Sequence, residues 1–517
     1  MLTQPIFEMS IFGKIFGQKI LADNNNISSF RQPLPDFDEL HDFKQIVSIF
    51  DYSFSSNDKI AQKAAETIHR LFTQVNLLKN RELYETFKYI EINKTDIPKF
   101  MKFPLEIRTT LLCIATLNRN GYSRETALDE LIEIKGQRVF QFVLFRLADW
   151  VFPIREKAVK MIDKYLEDDN TVLFIQNHNL INWMLKVERA DLSDLYRKII
   201  NSVTSKRLSD TELKKLIEGE RLFYYKSLIS SQACDSEIID SLLRDKYYLI
   251  RLLLIKHFDK LPDKGRVLSK LLTDKSQKVR QSAILSISDQ NVEDYQSTLE
   301  ILIFDDSASV RSESRRLLSK MGNGDFIELY KENLAKPEHL VGSIVGLSEV
   351  GNKEDISIIS NYLGSKTIKV KIAALFGIYN LNKDLATEKC YEILESENPV
   401  SFKKAGEIIL SKQGVDITRL RTIYDLSDNS GKIIILRLIN KFGGWSAAGD
   451  YLKALVESDD KLAQNAAYFL EAWDKYTMRL GTRQTKEDKE YVLKWFYKAK
   501  DLGLKIPENI PFIFGER

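Results

Sequence analysis

Asp274-Lys-Ser-Gln-Lys-Val-Arg280-Gln-Ser-Ala283 joins an acidic turn to a basic residue six positions later, and then to an apolar-periodic run. Val279, Ala283, Ile284 and Ile287 fall on one face of a helix that begins near Arg280. The pattern recurs: Asp149 leads to Arg155, Asp245 to Arg251, Asp305 to Arg311, Ser365 to Lys371 and Glu397 to Lys403. The apolar offsets recur with it, as Ile154, Ala158, Val159 and Ile162 around Arg155, and as Val370, Ala374, Leu375 and Ile378 around Lys371. Identical offsets mean that the same helical face is buried each time.

Outward from this unit, successive anchors fall near 251, 280, 311, 342, 371, 403, 434 and 464, a period of about 30 residues. Such a length holds two short helices and two turns. A unit of that size cannot bury its apolar face alone and has to stack on its neighbours. Gly342 and Ile434 stand where the basic residue is expected, so these two anchors are weak. Gly322, Gly351 and Gly443 follow the second helix of their units, where a left-handed residue would end it. Toward the amino end the units are less regular, with Glu-Ile-Arg108 and Asp191-Leu-Ser-Asp-Leu-Tyr-Arg197 as candidates. Ser56-Asn-Asp-Lys-Ile-Ala-Gln-Lys-Ala-Ala65 echoes Ser458-Asp-Asp-Lys-Leu-Ala-Gln-Asn-Ala-Ala467, which supports one array from about 40 to 475. The fold expected is all-α, a solenoid of stacked helix pairs. No run of period-2 alternation bounded by hairpin turns appears, which sets aside Rossmann, barrel and sandwich folds.

The Asp274–Ala283 turn and helix, together with exits such as Leu317-Leu-Ser-Lys-Met-Gly-Asn-Gly-Asp325 and Gly346-Leu-Ser-Glu-Val-Gly-Asn-Lys-Glu-Asp355, resemble HEAT repeats of the short bacterial type. The resemblance is good over roughly 240 to 475, partial over 40 to 240, and absent at both ends. It implies an armadillo-like helical solenoid that serves as a binding scaffold, and it names no ligand.

The organisation expected is an apolar segment and linker at 1–35, irregular repeats at 36–240, regular repeats at 241–475, and a capping helix with a tail at 476–517. Asp36 with Glu39 is a capping-box signature ahead of Phe37, Leu40, Val47 and Phe50. Residues 6–20 carry an apolar stripe (Ile11, Phe12, Ile15, Phe16, Ile20) beside Lys14 and Lys19, readable as a docking helix or as a contact with an anionic membrane surface. They lack the basic region and cleavage site of a secretory signal. Met9 reads as an alternative start. Val139–Phe152 is apolar but carries Arg146 and Asp149, so a buried helix is expected rather than a membrane span.

Composition narrows the chemistry. Lys+Arg 76 against Asp+Glu 73 gives a net charge of +3, too balanced for a global nucleic-acid footprint. Cys113, Cys234 and Cys390 are widely spaced, which fits a reducing cytoplasm better than disulfides or zinc. His41, His69, His178, His257 and His339 form no local pair, and there is no HExxH, G-x-S-x-G or Walker-type loop. No enzyme activity, cofactor or metal is expected, although two HEAT-like enzyme families, alkylpurine DNA glycosylases and phycobiliprotein chromophore lyases, stand as precedents whose catalytic residues find no match here.

Two sets of residues are candidate sites. Arg155, Arg251, Arg280, Arg311, Lys371 and Lys403 form a ladder along successive second helices. Each would be locked by its own turn Asp, which would also cap the helix, with phosphate or acidic-peptide contact as the alternative. Tyr491, Trp495 and Lys498 lie in a basic segment with nine Lys/Arg against five Asp/Glu between 474 and 505. They would either cover the last repeat, with Trp495 and Phe496 inward, or meet a partner. Pro507 and Pro511 would leave Phe512-Ile-Phe514 as an extended apolar tail. The function expected is a scaffold or adaptor that binds a partner protein along an extended solenoid surface. A nucleic-acid-binding solenoid using the basic ladder is the alternative.

Overall fold

The structure is a computed structural model that describes residues 35–75, 80–231, 235–288, 291–322, 324–457, 461–476 and 483–515. The amino-terminal stripe at 6–20, Met9 and Cys234 lie outside these residues. Among the described residues the regular elements are all helical, and no helix is long and apolar enough to cross a membrane. The chain divides into two compact units, residues 1–231 and 232–517.

Among the described residues of the second unit eight helix pairs follow one another, and their second helices start at 248, 277, 308, 340, 368, 400, 429 and 461. Each second helix packs on the next, and each first helix packs on its own partner, which is the solenoid arrangement. The recurring apolar offsets are the buried ones: Val279, Ala283 and Ile284 in one unit, Val370, Ala374, Leu375 and Ile378 in another. The Leu340–Val350 helix shows why its anchor is not basic. A Cβ on Gly342 would lie 2.2 Å from the Phe304 carbonyl oxygen, and one on Gly346 would lie 2.3 Å from the Tyr330 ring. The helix approaches its neighbour so closely that no side chain fits at either position.

In the first unit the same stacking holds over a shorter run. The Leu105–Ala115 and Gly121–Leu131 helices pair, as do Gln137–Arg146 and Phe152–Leu166, and the two pairs pack first helix on first and second on second. Beyond Leu166 the helices shorten to six and seven residues, Thr171–Gln176 and His178–Met184, and the regular phase is lost.

Several local expectations are corrected. The capping box ahead of the first helix is made by Asp42 and Gln45; Asp36 and Glu39 form only a turn. Gly322 is left-handed at φ +89°, but Gly351 and Gly443 are not, and beside Gly443 the left-handed residue is Gly444. Val139–Phe152 is not one helix: it ends at Arg146, and Asp149 begins the turn into the next. The carboxy-terminal tail is not extended, because Pro511 sits in the first turn of a short helix, Ile510–Ile513, where its missing N–H costs nothing. Phe514 is buried there with its ring stacked on Trp473, while Phe512 is 79% exposed.

Candidate functional site

The basic ladder is an internal relay that runs between repeats. Arg280 donates from Nε and Nη2 to both carboxylate oxygens of Asp305, at 2.7 Å each, and from Nη1 to the backbone carbonyl of Asp274 at 2.7 Å. Arg251 does the same with Asp274, at 2.6 and 2.8 Å, and with the Asp245 carbonyl. The carboxylate that receives the guanidinium fork therefore belongs to the following repeat; the arginine's own turn supplies only its carbonyl. Nor does the turn Asp cap the helix. Its Oδ1 accepts the N–H of the residue two positions on, Ser276 or Ser307, which is itself the N-cap. At Arg311 the corresponding position of the next turn is Pro337, and Glu349, far along the Leu340–Val350 helix, takes the fork together with Arg315. Lys403 approaches Asp428 of the next turn at 3.9 Å, and the Lys371 ammonium lies 5.5 Å from the Phe402 ring. Arg251, Arg311 and Lys403 are buried. Of the irregular candidates, Arg197 pairs with Asp194 of its own helix and Arg108 reaches Met101, so neither extends the relay.

Tyr491, Trp495 and Lys498 converge on the Lys486–Asp501 helix, which packs on the Ala447–Glu457 helix. The Tyr491 hydroxyl donates to Asp450 at 2.7 Å, where Arg421 also lodges its fork, and burial followed by the Asp450 charge raises the Tyr491 pKa. Trp495 is buried with Phe496, and exposed Lys498 sits 4.8 Å above the indole. A Cβ on Gly449 would strike the Tyr491 ring at 2.5 Å, so the helices meet closely. These residues close over an apolar face.

A different place in the first unit has the form of a binding site. Arg124 sends its fork to Asp149 at 2.8 Å twice, and its Nη1 to the carbonyls of Asn118 and Arg119. This is the relay geometry again, with Asn118 in place of the turn Asp. Asp149 also accepts from Arg146 at 2.9 Å and from the Val151 N–H at 3.0 Å, so one carboxylate serves two guanidiniums. All three charged side chains are buried. Burial works to raise the Asp149 pKa, but the Arg124 hydrogen bonds and the Arg146 charge overcome it and hold the carboxyl below its usual range. Burial pushes Arg146 down to about 10. Its Nε is buried without a hydrogen-bond partner.

These groups form the floor of a cleft of about 1170 Å³, lined by Tyr84, Leu117, Phe145, Trp150, Val151 and Trp183 among others. Trp150 is 75% exposed, and the Arg189 guanidinium stacks 3.5 Å from its ring centroid. Arg155 donates to the carbonyls of Asp149 and Trp150, which fixes the turn that presents the indole. Among the described residues no carboxylate pairs with Arg155, so the relay stops at this cleft. Nothing in the Asp149-to-Arg155 spacing marks Trp150, and Arg124 escapes the pattern because Asn118, six residues before it, is not acidic. The Arg-to-Asp separation of 25 residues, shared by Arg124–Asp149 and Arg280–Asp305, is the signal that would have found it. Among the described residues no cluster of His, Cys, Asp and Glu is arranged to hold a metal ion.

No protein-family model and no curated protein matches the chain. Among solved structures it is similar to Kap121p, at 10% identity and a TM-score of 0.28, over 89% of this chain and 62% of that one. It is also similar to Kap95p in a structure with RanGDP, at 9% identity and 0.32, over 90% and 64%. A third is importin beta, at 12% and 0.22, over 88% and 66%. The chain thus spans less than two thirds of each. What the geometry itself defines is an α-solenoid of stacked helix pairs with an arginine-floored aromatic cleft.

Proposed function

We propose that the chain is a HEAT-like scaffold that binds a partner protein along its solenoid surface, without chemistry of its own, and that the cleft in its first unit is the anchoring point. The single observation carrying this reading is Trp150, exposed at the mouth of an aromatic cleft and held in place by Arg155 and Arg189. Trp, Tyr and Arg are the side chains that dominate binding energy at protein interfaces, and a cleft that shelters them from water is where they act. The ladder arginines support a protein partner over nucleic acid, since Arg251, Arg280 and Arg311 are engaged within the array. The buried, unpaired thiols of Cys113 and Cys390 are in keeping with a cytoplasmic setting.

The test is affinity capture by the purified full chain from its native lysate, with and without nuclease, at low and moderate salt. A stoichiometric protein that survives both treatments is expected. Recovery of nuclease-sensitive, salt-labile nucleic acid alone overturns the reading.

A further inference from the structure

The charge on the cleft floor says what kind of segment enters it. In the regular relay each turn carboxylate takes one guanidinium fork, as Asp274 takes Arg251 and Asp305 takes Arg280, while Glu349, on a helix, takes both Arg311 and Arg315. Asp149 instead serves Arg124 and Arg146, which leaves one positive charge unbalanced in a buried position. Arg146 is more than nine-tenths buried, and the bond to Asp149 is the one hydrogen bond its guanidinium makes among the described residues. Buried N–H groups of a guanidinium are seldom left without an acceptor. At the mouth stand Arg119 and Arg189, both exposed and neither paired with a carboxylate among the described residues; they rest on the Tyr89 and Trp150 rings. Two acids that also line the cleft, Glu82 and Glu85, are engaged by Lys44 at 3.3 Å and by Lys88 at 2.6 Å.

We infer that this cleft receives a short extended segment of a partner protein that carries a carboxylate side chain next to an aromatic one, the carboxylate meeting Arg146, Arg119 and Arg189 and the aromatic ring lying against Trp150 and Trp183. The inference rests on the scaffold reading and adds the chemistry of the partner. A carboxylate supplies the acceptor that the surplus guanidinium lacks, and bidentate Arg–carboxylate contacts fix register as well as affinity. A nucleic-acid strand fits less well, because it needs a track of cations. Here the lining sets a few arginines among apolar and aromatic side chains and includes the acids Glu82 and Glu85. At about 1170 Å³ the cleft also exceeds the roughly 300–1,000 Å³ of small-molecule sites.

The test is selection from a random twelve-residue peptide display library on the immobilised full chain, in parallel on an Arg119→Glu/Arg189→Glu variant. Both positions are exposed, so the variant is expected to keep the wild-type melting temperature. Wild type is expected to enrich Asp or Glu adjacent to Phe, Tyr or Trp. A synthetic copy of the leading peptide should bind the double variant about tenfold or more weakly by fluorescence anisotropy. The same peptide with its acid changed to the amide should lose a similar factor on wild type. Enrichment of Lys or Arg, no enrichment, or binding indifferent to both changes overturns the inference. So does a fluorescent single-stranded oligonucleotide that displaces the peptide from the wild-type cleft. A nuclease-resistant captured protein together with an empty peptide selection would sink this inference and leave the scaffold reading standing.

Discussion

The turn at Asp274 and the turn at Asp149 use the same parts and arrive at different ends. Both place a carboxylate to receive the fork of an arginine one repeat earlier, both accept an N–H two residues on, and both offer their carbonyl to an arginine six residues later. At Asp274 the chain of contacts continues, since Arg280 passes to Asp305 and Arg311 to Glu349. At Asp149 it stops, because Arg155 has no carboxylate ahead of it among the described residues and Arg146 has joined from below. A repeat motif is a way of stacking; where the stack ends, the same motif leaves unspent charge and an uncovered indole. In this chain the cleft lies where the pattern is interrupted.

The sharpest way to break the comparison is to remove the shared carboxylate. Asp149→Ala strands two buried guanidiniums where Asp274→Ala strands one. Stranding a buried charge costs about 3–5 kcal/mol, so Asp149→Ala is expected to lie at or beyond the top of that range and Asp274→Ala within it. Hydrogen exchange across 121–166 and 248–285, read in each variant, checks the order. Equal losses would mean that Arg146 contributes nothing to the floor.

Acid should test the Asp149 floor as well. The Asp149 carboxyl is held below its usual value, so the stability it contributes is fully present above the unfolded carboxylate pKa of about 3.9 and is lost as pH falls through the lower folded value. Protection of the 121–166 segment should therefore decline below about pH 4, and an Asp149→Asn variant should show a flatter profile over the same window. A decline of equal steepness in that variant would place the titration elsewhere.

Arg280→Ala probes the continuous relay with both partners of the chain still present. The side chain is nearly buried, and the loss of a charge-assisted fork is expected to cost about 1.5–3 kcal/mol. A chemical-denaturation midpoint that does not move would contradict a locking role. Gly346→Ala tests the neighbouring repeat by geometry instead of charge. Its Cβ would lie 2.3 Å from the Tyr330 ring, whose hydroxyl links Arg315 to the Ile303 carbonyl, so overpacking of about 1–3 kcal/mol is expected.

The relay and the cleft differ in how much of them a reader of the sequence can see. The acidic turn, the basic residue six positions on and the buried offsets lie within ten or twenty residues, and local periodicity exposes them. The direction of the fork does not appear there, because the bond from Arg251 to Asp274 crosses from one repeat to the next and obeys a separation of 23 to 25 residues rather than six. Gly342 looked like a damaged anchor and is instead a contact too close for any side chain. The cleft was still harder to see, since Tyr84, Arg119, Arg146, Trp150, Trp183 and Arg189 come from six places with no common spacing. Only the fold brings them together.

The smallest effect is expected where an ion pair of the same chemistry lies in water. Lys369 reaches Asp306 at 3.0 Å across two repeats, a longer span in the chain than any in the relay, yet the two side chains are 65% and 72% exposed. Water solvates both charges whether or not they meet, salt screens them, and ordering two long side chains offsets what remains. Lys369→Ala should therefore change stability by less than about 1 kcal/mol, and raising the ionic strength should remove even that. A loss comparable to that of Arg280→Ala would show that bridging repeats matters more than burial. The relay would then owe its strength to where its charges connect, and Asp149, buried but at the end of the line, should become the weaker lock of the two regions.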